Sequence, residues 1–181
     1  MPTNIRFSSF PRTSPPPCWL TQVIDVFRAV ESHINTELLD KGLKSDEVLG
    51  HLRPGLERLK FEVERGKGKS EKVDRPVFFG ENGIPTLRYE IDAYHGDWKC
   101  GLEVEAGRAF SGGNAIYRDI VQACVMEGVD HLLIAVPNAY KSLSSGKEVR
   151  EPAYDKTVEV ARALTGHSRV KLPFSLVIIG Y

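Results

Sequence analysis

Residues 87–105, LRYEIDAYHGDWKCGLEVE, constrain the fold more than any other stretch of the chain. Two alternating apolar and polar runs flank the dipeptide Gly96-Asp97. Alternation marks a half-buried strand, and Gly followed by Asp between two such runs marks a two-residue hairpin turn. With that tip, His95 is expected opposite Trp98, Asp92 opposite Gly101, Glu90 opposite Glu103 and Arg88 opposite Glu105. Residues opposite one another share a sheet face. One face then carries Glu90, Asp92, Glu103 and Glu105, with Gly101 expected to leave open space beside Asp92. The other carries Tyr89, Ile91, Ala93, Cys100, Leu102 and Val104, an apolar set that must pack on something.

Like charges set opposite one another destabilise a sheet, so the carboxylate face calls for compensating cations. A divalent metal held by oxygen ligands is one answer. A salt-bridge ladder is the other, with Arg88, Lys99 and Arg108 as its cations. Residue types alone leave both open.

The chain has 181 residues, enough for one domain with a sizeable core. With 41% hydrophobic and 27% charged residues it is not a disordered chain. The formal net charge is zero, so bulk charge gives no support to nucleic-acid binding, and local patches must carry it. The three cysteines, Cys18, Cys100 and Cys124, form no disulfide framework and read as reduced thiols of a cytoplasmic protein. No apolar run reaches the length of a membrane span, and the N-terminus lacks a hydrophobic signal segment.

Residues 1–18 are rich in Pro and Ser and are expected to form a flexible N-terminal arm, with residues 19–181 as one domain. Trp19, Leu20, Val23, Ile24, Phe27, Val30 and Ile34 fall at helical spacing and predict a helix over about 19–38. Ser45 is a candidate N-cap for a second helical stripe, which Pro54-Gly55 is expected to break or kink. A short strand around Phe61 and Val63 precedes the basic loop 65–75. After Glu105 come a glycine-rich loop, a helix from Asn114 to Gly128, a buried strand at 131–136, a loop at 141–152, a helix at 154–164 and a last strand at 175–181. Strand, helix and buried strand in that order predict a βαβ crossover. The whole is an α/β chain, a mixed sheet flanked by helices.

The glycine-rich loop is not a P-loop: Gly113 and Asn114 stand where Lys and Ser or Thr belong. His95, Cys100 and Cys124 match no zinc spacing, and no G-x-S-x-G elbow exists. The remaining pattern is Asp92, ten residues, then Glu103-Val104-Glu105, with Arg118-Asp119 in the next helix. This resembles the PD-(D/E)xK restriction-endonuclease-like superfamily, in its E-x-E variant, the branch of the restriction enzymes BamHI and BglII. Ile91 replaces the motif's proline, Glu105 takes the lysine position, and AGRAF follows in place of a WNNKD-like continuation.

The resemblance implies an αβββαβ core and phosphodiester hydrolysis of nucleic acid, DNA first, with Mg²⁺ or Mn²⁺ as cofactor. It implies Asp92 and Glu103 as metal ligands aided by the Val104 carbonyl, and Glu105 as the group that orients or deprotonates the attacking water or binds a second ion. Glu57 and Glu90 are candidates for a further acid. Arg108, Arg118, Lys67 and Lys69 are candidates for phosphate contact. A homodimer through the N-terminal helices is an expected way to cut two strands. The alternatives are a non-catalytic interaction or nucleic-acid-binding scaffold of the same fold, or a different small hydrolase using the same acids.

Overall fold

The structure, a computed structural model, describes residues 3–39, 42–106, 114–144 and 147–181. Its centre is a six-stranded mixed sheet. The strands are β1 (Arg6–Phe10), β2 (Glu62–Val63), β5 (Ala93–His95), β6 (Cys100–Val104), β7 (His131–Val136) and β10 (Ser175–Gly180), in the order β1-β10-β7-β6-β5-β2. β6, β7 and β10 run parallel; β1 and β5 run antiparallel to β10 and β6, and β2 antiparallel to β5. Two further ribbons lie outside it: β3 (Val73–Phe79) with β4 (Pro85–Ile91), and β8 (Tyr140–Ser144) with β9 (Lys147–Glu151).

The helices are α1 (Leu20–Ala29), α2 (Glu31–Ile34), α3 (Ser45–Arg58), α4 (Ala115–Ala123) and α5 (Ala153–Gly166). β7 and β10 are apolar after their first residues, His131 and Ser175, because both their faces are covered there. Leu133, Ala135, Val177 and Ile179 pack with Val23, Phe27, Leu52 and Leu56 of α1 and α3. Leu132, Ile134, Leu176 and Ile178 pack on the opposite face with Ile116, Ile120, Val158 and Ala161 of α4 and α5. The predicted β6-α4-β7 crossover is present, with β6 and β7 parallel neighbours. No helix among the described residues is long and apolar enough to cross a membrane.

The hairpin differs from expectation in register and in extent. Ala93 faces Leu102, Tyr94 faces Gly101 and His95 faces Cys100, so the connection is Gly96–Lys99 with Lys99 at φ 46°. The shift moves each partner by two, which leaves the faces of β6 as predicted but sets Asp92 beside Glu103 in place of Gly101. The strand also bends at Asp92, and β4 leaves the main sheet to pair with β3. Tyr89 and Ile91 therefore join the core under α4, while Ala93, Cys100, Leu102 and Val104 face α1 and α3. The space over Gly101 is not open: a Cβ there would lie 2.4 Å from Ile91 Cδ1.

Four local expectations are also corrected. Residues 6–10, read as part of a flexible arm, form the edge strand β1, because Ile5 and Phe10 are apolar enough to bury there. Pro54 does not break α3; the close approach of Gly55 to Val26 packs the helix through it. Helix α4 stops at Ala123, and the positive φ of Gly128 belongs to the turn that follows. Most of 141–152 is strand, paired as β8–β9.

Candidate functional site

The carboxyl end of β6 is where the acids gather. Asp92, at the bend, accepts the Val104 N–H on its Oδ2 at 2.7 Å. An extended residue turns its N–H and C=O to the same side, so the Val104 carbonyl opens toward Asp92 as well. Glu105 N–H donates instead to Ala135 of β7 at 2.8 Å, which locks the strand end. Glu103 points away from the α1 and α3 layer, toward α4. Helix α4 brings Arg118 and Asp119: Arg118 Nε donates to Asp119 Oδ1 at 3.0 Å, and its Nη2 lies 3.4 Å from Glu105 Oε1.

The other side of the cleft comes from α3 and β2. Ser45 does not cap its own helix; its hydroxyl accepts the Ala106 N–H at 3.1 Å and holds the start of α3 against the end of β6. Asp46 follows it into the cleft. Glu64 N–H donates to the Asp92 carbonyl at 2.8 Å, and Arg53 donates to the Glu64 carbonyl at 2.8 Å. Lys72 spans Glu64, at 2.7 Å, and Glu90, at 3.2 Å. The resulting cleft, of about 500 Å³, is lined by Asp46, Glu64, Asp92, Glu103 and Asp119, with Lys72, Arg88 and Arg118 as its cations.

Crowding acids in a buried place disfavours their charged forms. Burial pushes Asp92 up to about 6 against the pull of the Val104 N–H, and Glu64, Asp119 and Asp46 add repulsion. Burial and the neighbouring Asp92 raise Glu103 well above the carboxylate range. Burial, then Asp119, pushes Glu105 up to about 7. Asp119 is raised by burial although Arg118 opposes it.

No protein-family model matches the sequence, and no curated protein is detectably similar to it. A solved structure is similar: restriction endonuclease BglII complexed with a DNA 16-mer, at TM-score 0.58 and 12% identity, over 98% of this chain and 78% of that one. The chain has a restriction-endonuclease-like fold. At this identity the likeness speaks for the fold alone.

Within that fold, Asp92, Glu103 and Glu105 come together at one end of β6. Glu57 does not reach the cleft; it pairs with Arg65 at 2.7 Å. Glu90 lines the cleft from the β3–β4 ribbon, on the far side of Lys72. The alternative of a salt-bridge ladder on this face does not form at Arg88 or Lys99, which pair with Asp74 and Asp130. Lys67 and Lys69 sit on the exposed connection before β3, and Lys72 is the lysine of that stretch that enters the cleft. Arg108 lies outside the described residues. His95 is a core residue, stacked on Trp98 with ring centroids 3.9 Å apart. Cys100 is fully buried, and burial raises its thiol.

Sequence reasoning missed Asp46 and Glu64, and it named Asp119 only as the partner of Arg118 in the resemblance, without a role in the site. Asp119 carried a signal: it falls with Ile116, Ile120 and Ala123 on the buried stripe of α4. Asp46 and Glu64 gave none, since each reads as an ordinary surface acid until the fold closes.

The donor set fits a hard divalent cation. Its donors are oxygens, the cleft holds more acids than cations, and Asp119 Oδ2 is buried without a hydrogen-bond partner among the described residues. Among those residues no three Asp, Glu, His or Cys side chains converge closely enough to cage a metal.

Proposed function

We propose that the protein is a divalent-cation-dependent nuclease acting on DNA, with Mg²⁺ or Mn²⁺ as its cofactor. The observation that carries this reading is the set of acids around Asp92 and Glu103 in one cleft of a restriction-endonuclease-like fold. DNA is favoured because the structurally similar BglII is complexed with DNA. Asp92, Glu103 and the Val104 carbonyl are the residues that would hold the cation. A bound cation of this kind activates water and offsets charge on a phosphoryl group.

The chain's own residues do the rest. Glu105 orients the attacking water and takes its proton as the water oxygen bonds to phosphorus and the bond to the leaving oxygen breaks. The leaving oxygen then takes up a proton from solvent. Arg118, with its side chain 59% exposed, reaches from α4 to a phosphate at the cleft mouth. Lys67 and Lys69, exposed on the connection that leads to Lys72, follow the backbone of the nucleic acid without reading its sequence. A second copy of the chain would place two such clefts on two strands.

The test is cleavage of supercoiled plasmid, single-stranded DNA and RNA with Mg²⁺, Mn²⁺ or EDTA, comparing wild type with Glu103→Ala. Metal-dependent cutting of DNA, lost in Glu103→Ala, is the expected result. No cutting by folded wild type with either metal contradicts it. One observation favours a second reading, a nucleic-acid-binding scaffold of the same fold: the acids share a cleft without converging on a cage. That reading predicts metal-independent DNA binding and no cutting.

A further inference from the structure

We propose that Asp119 of α4 is itself a ligand of the divalent cation, directly or through one water, so that the ion ties helix α4 to the end of β6. The inference rests on the reading of this cleft as a divalent-cation site and gives a role to Asp119, which the sequence pattern includes only as the neighbour of Arg118.

Asp119 is 2% exposed, on a helix face otherwise committed to packing by Ile116, Ile120 and Ala123. A carboxylate at such a position carries a large desolvation penalty unless something compensates it. Arg118 does so in part, and on one oxygen only: its Nε and Nη2 both meet Oδ1, at 3.0 and 2.9 Å. Oδ2 is buried and has no hydrogen-bond partner among the described residues.

Arg118 also fails to explain why Asp119 is buried. Its side chain is 59% exposed, and an exposed arginine needs no buried acid to hold it. Asp119 lines the same cleft as Asp92 and Glu103, and its charge acts on Asp92, Glu103 and Glu105 alike. The Glu105 carboxyl lies within hydrogen-bonding reach of Asp119, and a buried carboxylate oxygen that no N–H meets, in a cleft shared with two further carboxylates, suits a hard cation. Glu90 is the contrasting acid of the cleft: it is 64% exposed and already paired with Lys72.

The experiment is a calorimetric titration of Mn²⁺ alone into the full chain, as wild type, Asp119→Asn and Glu90→Gln, with far-UV circular dichroism to confirm folding. Asparagine keeps the shape and the contact to Arg118 while removing the charge. The expected result is affinity about tenfold or more weaker in Asp119→Asn, with Glu90→Gln within about threefold of wild type. Two results overturn the inference: Asp119→Asn binding like wild type, or both variants weakened equally, which marks a diffuse charge effect. Wild type that binds no Mn²⁺ removes the cation site as a whole, a separate failure from the first two.

Discussion

At the scale of residues, Asp92 is held between opposing forces. The Val104 N–H favours its charged form, while burial and the acids around it favour the neutral one, and burial prevails. Asparagine at this position keeps an acceptor for the Val104 N–H and removes the repulsion. Asp92→Asn is therefore expected to raise stability by about 1–2 kcal/mol at about pH 8 in chelator, read by urea unfolding, while abolishing cleavage. Lower stability than wild type would show that the charge is compensated inside the chain. That Asp92, Glu103 and Glu105 lie on one side of the chain was legible from the spacing of alternating strands, while their roles rested on the resemblance alone. Asp46 and Glu64 were not legible. Each reaches the cleft through a backbone contact between distant segments: Ser45 with Ala106, and Glu64 with Asp92.

At the scale of elements, the bend at Asp92 decides the site. It sends Ile91 under α4 and Ala93 toward α1, although residues 87–95 alternate as one strand. Local alternation carries no information about where a strand changes partner, so the sequence reading ran one hairpin through two sheets. The faces of β6 survived because the true register differs by an even step. Gly101 is the contact that permits the bend, since its missing side chain makes room for Ile91. Gly101→Ala forces a Cβ to within 2.4 Å of Ile91 Cδ1 and is expected to destabilise by about 1–3 kcal/mol. Combining it with Ile91→Val should recover part of that loss, and thermal or urea unfolding of the double variant checks it. A full, additive loss would place the strain elsewhere.

At the scale of the whole molecule, the layered sheet was legible because β7 and β10 are apolar beyond their first residues and helical stripes flank them. The edge strand β1 and the ribbon β8–β9 were not, because short paired segments depend on partners far along the chain. Neutral net charge likewise hid an acidic cleft whose charge is balanced elsewhere on the surface. The shifted acids of that cleft make stability vary with pH. Asp92 and Glu105 ionise near 6 and near 7 in the folded chain, and near 3.8 and 4.5 when unperturbed. Their contribution is fully present below about pH 4 and is lost as pH rises through about 7, where the unfolded chain has already ionised. A divalent cation bound to the ionised acids reverses that loss. The decisive measurement is thermal unfolding of the wild type with Mn²⁺ or with EDTA, at about pH 8 and at about pH 5. The expected result is a clear rise in Tm with Mn²⁺ at the higher pH and little or none at the lower. An equal Tm with and without Mn²⁺ at both values would contradict a divalent-cation site at the end of β6.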